Sequence, residues 1–126
     1  IFFADRFYGF DDACYAGARV LEILSKTDKP LSELLSDLPE TFSTPEIRTD
    51  CDEEKKFEVV AKIAEEFAKT SEVITIDGAR IIFENGRGLV RASNTQAILV
   101  LRFEANSEES LKEIRETVEE KVAEII

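Results

Sequence analysis

The chain has 126 residues, of which 44% are hydrophobic, so it is long enough for one domain or for a small domain plus part of another. It contains no run near the roughly 18 apolar residues of a membrane-spanning helix, which argues against a membrane as partner. The net charge of −11 also argues against nucleic acid, which attracts basic surfaces. With no histidine, Cys14 and Cys51 cannot complete a zinc site, and we expect both to be buried, reduced thiols of a cytoplasmic protein.

The first part of the chain is predicted to be the tail of a larger domain. Residues 1–3 (Ile-Phe-Phe) are typical of the end of a strand, and Asp11 or Asp12 can cap a helix that follows. A second short helix is expected at 31–37. One helix and a half cannot enclose a core, so the body of this domain is expected to lie outside the chain.

A connector follows at 38–45, where Ser and Thr lie between two prolines. Proline disfavours helix in the residue before it, so this segment is predicted to be extended. We place a hinge and a domain boundary here, which divides the chain into 1–42 and 43–126.

The second part is predicted to begin with a strand at 46–51 and a helix to about Lys69, capped by Asp52. The acidic run around Asp52 lacks the alternating ligands and central glycine of a calcium loop, so capping explains it better. The apolar face of the helix is predicted to consist of Phe57, Val60, Ala61, Ala64 and Phe67.

Four further elements complete the second part. Asp77-Gly78 predicts a hairpin with a type I′ turn, and strands are expected at 88–91 and 97–104. Asn106 or Ser107 can cap a closing helix. Its inward positions are predicted to be Leu111, Ile114, Val118, Val122 and Ile125. The fold class is therefore α+β, with a mostly antiparallel four-stranded sheet packed on helices.

The loop between the last two predicted strands concentrates polar donors. Arg91 offers a planar fork that matches a phosphate, and Ser93, Asn94 and Thr95 add two hydroxyls and an amide. Arg87, Arg91 and Arg102 also belong to a basic stretch, since residues 78–103 hold four arginines and one acid. The loop is thus a candidate anion site.

Ordinary turn chemistry remains an alternative for this loop. Asn94 can form an Asx turn, and Arg91 can pair with a nearby acid. A nucleophilic role for Ser93 is disfavoured, because the chain has no histidine to serve as its base.

Four segments carry a resemblance to a known family: FYGFDDACYAGARVLEILS (7–25), STPEIR (43–48), DGAR (77–80) and GLVRASNTQAILVLRFEA (88–105). Together they resemble the C-terminal part of the phosphomannomutase/phosphoglucomutase branch of the α-D-phosphohexomutases. The Arg-Ala-Ser-Asn-Thr loop makes the resemblance specific, because the phosphoglucosamine mutases carry Ser-Gly-Thr in its middle.

The resemblance implies the end of a third, sugar-recognition domain at 1–42 and a whole fourth domain at 43–126. Arg91, Ser93, Asn94 and Thr95 would bind the substrate phosphate that is not transferred, with Arg102 a weaker candidate. The phosphoserine, the Mg²⁺ site and the sugar loop of the family have no counterpart here, so catalytic and metal-binding residues are expected outside this chain.

The implied partners are a mannose or glucose phosphate and the remaining domains of the same polypeptide, with a hexose 1,6-bisphosphate as activator. An alternative is a non-catalytic module that binds anions or another protein.

Overall fold

The computed structural model describes all 126 residues and divides into two compact units, Ile1–Leu38 and Pro39–Ile126. The first unit contains helix α1 (Ala13–Leu24). As predicted, Asp12 caps α1, because its carboxylate accepts the Tyr15 N–H at 2.7 Å. No helix of the protein has both the length and the apolar character needed to cross a membrane.

Two predicted elements of the first unit are not formed. Residues 1–3 are not a strand, since no neighbouring strand takes up their backbone hydrogen bonds. The predicted helix at 31–37 is a single 3₁₀ turn, Leu31–Glu33. The Ser36 hydroxyl donates to the Glu33 carbonyl at 2.8 Å, and this local bond competes with α-helical pairing of that carbonyl.

The second unit is an antiparallel sheet with two helices. Its elements are β1 (Phe42–Ser43), β2 (Ile47–Asp50), α2 (Lys56–Phe67), β3 (Glu72–Ile74), β4 (Ala79–Phe83), β5 (Gly86–Ala92), β6 (Ile98–Ala105) and α3 (Glu108–Ile125). The strand order is β1-β6-β5-β4-β3, and β2 also pairs with β6. The α+β class is confirmed, and the sheet has six strands rather than four because β1 and β2 share one edge.

One face of this sheet packs against α2 and α3 and forms the core. Buried side chains alternate with more exposed ones along β5. Ile81, Val90 and Leu101, on three neighbouring strands, are fully buried. Cys51 is also buried, which raises the pKa of its thiol. Cys14, in contrast, is exposed on the first unit, so its predicted burial is wrong.

The buried face of α2 differs from the predicted one. It consists of Lys56, Val59, Val60, Ile63 and Phe67, with Ala64 partly buried. Phe57 and Ala61 are exposed instead. Val60, Ala64 and Phe67 are therefore predicted correctly, and Phe57 and Ala61 are wrong because a lysine occupies one of the buried positions. Asp52 caps only the turn before α2, where its carboxylate accepts the Glu54 N–H at 2.8 Å.

The β3–β4 hairpin is formed, but the predicted type I′ turn is wrong. The strands end at Ile74 and resume at Ala79, and only Gly78 has positive φ, whereas a type I′ turn needs two such residues. A Cβ on Gly78 would lie 2.5 Å from the Val90 carbonyl oxygen. The turn therefore lies directly against β5.

Helix α3 agrees with its prediction. Ser107 is its N-cap and accepts the Ser110 N–H at 3.1 Å. Ile114, Val118 and Val122 are buried, while Leu111 and Ile125 pack partly buried against the core.

Two isoleucines of the β3–β4 hairpin test which side chains stabilise the second unit. Ile81 is fully buried and Ile76 is 93% exposed. Ile81→Ala should lower the free energy of unfolding by about 2–5 kcal/mol, because it leaves a cavity. Ile76→Ala should change it by about 0.5 kcal/mol or less. Urea unfolding followed by NMR signals of α3 measures both, and equal losses would contradict the core described here.

Candidate anion-binding loop

The β5–β6 loop, residues 93–97, connects the two most extensively paired strands of the sheet. The register pairs Arg91 with Val100 and Ala92 with Leu99. Beyond the last pair, the Ser93 N–H donates to the Ile98 carbonyl at 3.0 Å and closes the loop. The position of the loop is therefore fixed by the strands on both sides.

Ser93 shapes the loop from within. Its hydroxyl oxygen accepts the N–H groups of Thr95 at 3.3 Å and Gln96 at 3.2 Å. It also lies 3.5 Å from the Thr95 hydroxyl. Turn-forming chemistry, the alternative considered for this loop, is thus observed for Ser93. The hydroxyl proton is still available to donate, because both backbone bonds use only the oxygen as acceptor.

Asn94 and Thr95 are exposed. The Asn94 side chain makes no hydrogen bond within the protein, so the proposed Asx turn is not formed, and the Thr95 hydroxyl lies only near Ser93. Their amide and hydroxyl donors are therefore open to a ligand.

Arg91 lies one residue before the end of β5, on the sheet face opposite α2 and α3. It is 43% exposed, and its guanidinium donates to the Asp77 carboxylate at 3.2 Å. This acidic partner was the second alternative considered for the loop. Asp77 reaches Arg91 because the Gly78 turn lies against β5. A guanidinium has five N–H donors, so one such contact leaves several free.

The remaining arginines of this open face do not all support the loop. Arg87 donates to Glu104 at 2.6 Å, which offsets its charge. Arg80 and Arg102 lie on either side of Leu89 in the register and form no ion pair. They line a cleft of about 340 Å³ whose walls exclude Arg91 and the loop. Arg91 thus lies near the end of β5, next in the chain to the loop that contains Ser93, Asn94 and Thr95, whereas Arg102 lines the same cleft as Arg80.

One residue near the loop was missed by sequence reasoning. The side chain of Lys56 is only 1% exposed, and its ammonium donates to Glu53 at 2.7 Å and to the Gln96 carbonyl at 3.2 Å. The Phe57 ring centroid lies 5.3 Å from the same ammonium. The available signal was a lysine in the helical stripe with Val59, Val60 and Ile63, since a fully buried lysine is rare unless it is paired.

No three His, Cys, Asp or Glu side chains of the chain are grouped so that they could hold a metal ion. The residues present therefore do not fit the Mg²⁺ that the resemblance implies. No step of the function below is assigned to a metal in this chain.

Two known sequence families match consecutive parts of the chain. The family described as "Phosphoglucomutase/phosphomannomutase, C-terminal domain" matches residues 46–121. Residues 1–42 match the family described as "Phosphoglucomutase/phosphomannomutase, alpha/beta/alpha domain III". The chain belongs to the phosphoglucomutase/phosphomannomutase family.

Individual relatives agree with this assignment. A protein named phosphoglucomutase from Neisseria gonorrhoeae is 49% identical over 118 residues, which cover 91% of this chain and 25% of that protein. A phosphomannomutase/phosphoglucomutase from Pseudomonas putida is 46% identical over 117 residues, 92% of this chain and 25% of its own length. The chain thus spans about a quarter of the curated relatives it matches.

A solved structure shows the same fold. It is a phosphoglucomutase/phosphomannomutase family protein from Burkholderia thailandensis, with a TM-score of 0.74 and 40% identity. The match covers 96% of this chain and 25% of that one.

The role of Ser93 inside the loop can be measured by amide exchange. Ser93→Ala removes the acceptor of two N–H groups, so solvent exchange at Thr95 and Gln96 should accelerate about fivefold, as expected for bonds worth a net ~1 kcal/mol. Thr95→Val is the control, because it removes a hydroxyl that accepts neither N–H. Unchanged exchange rates in Ser93→Ala would contradict the described loop.

Proposed function

We propose that this chain is the substrate-phosphate-binding portion of a phosphohexomutase. The observation that carries the proposal is the position of Arg91, Asn94 and Thr95 at the same end of the β5–β6 hairpin, in a chain of this family. These residues supply one charged fork, one amide and one hydroxyl, and Ser93 supplies a second hydroxyl. All of these groups can donate hydrogen bonds to phosphate oxygens.

The whole enzyme, in this proposal, interconverts hexose 1-phosphate and hexose 6-phosphate. A phosphoserine transfers its phosphoryl group to either hexose phosphate, which gives a 1,6-bisphosphate. This intermediate reorients in the site and returns its other phosphoryl group to the serine. The serine and the Mg²⁺ site belong to other parts of the polypeptide, and hexose 1,6-bisphosphate is the activator. The enzyme acts in the cytoplasm, on mannose or glucose phosphates.

The two units take domain roles in the same scheme. Residues 1–42 are the end of the third domain, and 43–126 are the fourth. The hinge lies in the first part of the 38–45 connector, because Phe42 and Ser43 already pair with β6. Movement about this hinge brings the loop over the bound sugar. Closure excludes water, which would otherwise hydrolyse the phosphoenzyme.

The chemistry demanded of the loop matches its donors. The loop must bind a phosphate dianion whether it is attached to the first or to the sixth carbon of the sugar. Side chains that contact only phosphate oxygens meet this demand, because those oxygens are the same in both esters. Exposed Asn94 and Thr95 can also adjust to a ligand presented in two orientations.

Asp77 gives Arg91 an acceptor when no ligand is bound. Both partners are substantially exposed, 43% for Arg91 and 69% for Asp77, so the pair itself is worth only about 0.2–1 kcal/mol. A phosphate dianion that binds Arg91 bidentately can displace this single contact at little cost.

An interaction module is the second candidate, and Arg80 and Arg102 favour it. They have no acidic partner and flank Leu89 on the uncovered sheet face. Arginines around an apolar centre are common in protein interfaces. The longer natural polypeptide can be assayed for interconversion of hexose phosphates. Activity that is lost when the loop is mutated would favour the mutase over the interaction module.

Arg91→Ala in the 126-residue chain should raise the dissociation constant for inorganic phosphate by about tenfold or more, because it removes a charge-assisted contact worth ~1.5–3 kcal/mol. Amide chemical shifts during a phosphate titration measure this constant. Arg115→Ala is the matched control, since Arg115 pairs with Glu119 at 3.0 Å on α3. Equal affinities in the two variants would refute the phosphate site.

Asp77→Asn should tighten phosphate binding by about twofold to threefold, because it removes a competing surface ion pair of about 0.5 kcal/mol. Glu104→Gln provides the comparison, since Glu104 pairs with Arg87 instead. The same titration reads out both, and weaker binding in Asp77→Asn would show that Asp77 assists the ligand rather than competes with it.

A further inference from the structure

Lys56 is the only buried charged residue of the chain. It begins α2, yet its ammonium reaches the carbonyl of Gln96, 40 positions away in the β5–β6 loop. The first turn of α2 is thereby joined to the back of the candidate anion site. A second bond joins the same regions, from the Cys51 N–H to the Ala97 carbonyl at 3.0 Å.

The Gln96 carbonyl accepts two donors, the Lys56 ammonium at 3.2 Å and the Ile98 N–H at 2.9 Å. No peptide bond of the chain is cis. In a trans peptide the C=O and N–H point in opposite directions. The N–H of Ala97, which shares this peptide group, therefore points away from Lys56.

The Ala97 N–H is a free donor. Ala97 is exposed, and its N–H donates to no acceptor in the protein, whereas those of Thr95 and Gln96 are bound by Ser93. The Asn94 N–H is free as well. Backbone N–H groups left unpaired in a turn of small residues are suited to anions.

We propose that the Ala97 N–H is an additional phosphate donor of the loop and that Lys56 is the residue that positions it. This inference rests on the proposed phosphate-binding function. Lys56 fixes the 96–97 peptide from behind, with its carbonyl inward and its N–H outward. The ammonium also polarises this peptide group and strengthens its N–H as a donor.

The charge of Lys56 acts on the ligand through a short distance of protein rather than through water. Its counter-ion Glu53 is 62% exposed and hence well solvated, while the ammonium is 1% exposed. A buried charge is screened less than one in solvent. The positive potential on the loop side is therefore only partly offset by Glu53.

The fold does not depend strongly on Lys56. Without Lys56, the Gln96 carbonyl would keep its bond from Ile98 N–H, and Glu53 would be free in solvent. Removing one partner of a buried ion pair is strongly destabilising when the charge left behind is buried, but Glu53 is 62% exposed, and Met has an apolar side chain of similar length to that of Lys56. Lys56→Met is thus expected to fold, with its main effect on phosphate.

The experiment is a phosphate titration of the 126-residue chain, followed at every backbone amide by NMR. In the unmodified chain, the Ala97 amide should shift together with residues 93–95. Lys56→Met should raise the dissociation constant for inorganic phosphate about tenfold, equivalent to ~1.4 kcal/mol, and should reduce the Ala97 shift most.

Lys55→Met is the matched control, because it makes the same change of charge at an exposed neighbour that forms no ion pair. Its affinity for phosphate should stay within about twofold of the unmodified chain, as expected for an exposed charge screened by salt. Lys56→Gln serves if Lys56→Met fails to fold, since it keeps a donor for Gln96 without the charge.

The possible outcomes distinguish the proposed phosphate-binding function from the inference about Lys56 and Ala97. If phosphate changes no amide chemical shift in residues 93–97, the proposed phosphate-binding function is wrong, and so is this inference. If residues 93–95 shift but Ala97 does not, only the assignment of Lys56 and Ala97 is overturned. The same holds if the Lys56 variants bind phosphate as tightly as Lys55→Met.

Discussion

The antiparallel pairing of β5 with β6 is the constraint on which the site depends. Its register places Arg91 beside Val100, and the Ser93 N–H bond to Ile98 closes the connection immediately afterwards. A shift of one residue would send every side chain of a strand to the opposite face. Arg91 would then point into the core and Val90 into solvent, so burial of Val90 and Leu101 holds Arg91 outside the core.

The same alternation explains how a strongly acidic chain carries a basic surface. Helices cover one face of the sheet, and the other face collects the outward residues of β4, β5 and β6, among them Arg80, Arg91 and Arg102. Ion pairs there are exposed and contribute little to stability. The core stabilises the fold, which leaves the arginines of the open face available for ligands.

Periodicity and turn chemistry were sufficient for much of this architecture. The caps at Asp12 and Ser107 and the inward face of α3 follow from local patterns, which the tertiary structure did not override. The loop residues Arg91 to Thr95 were also identifiable, because five consecutive residues without a large apolar side chain interrupt two strands.

The features that could not be predicted from the sequence depend on contacts between distant segments of the chain. Lys56 was not among the predicted core or site residues, and its contact with the loop could be found only from the position of Gln96 in the fold. The type I′ turn at Asp77-Gly78 is replaced by a four-residue connection between Ile74 and Ala79 that lies against β5. The pairing of Arg91 with Asp77 follows from that packing, and turn propensities alone contain no such information.

A titration of the chain with two sugar esters tests the central claim most directly. Hexose 1-phosphate and hexose 6-phosphate should shift the same backbone amides, those of residues 91–97, with similar affinities, because the loop contacts the phosphate and not the sugar. Shifts for only one ester, or shifts centred on Leu89 between Arg80 and Arg102, would contradict the account.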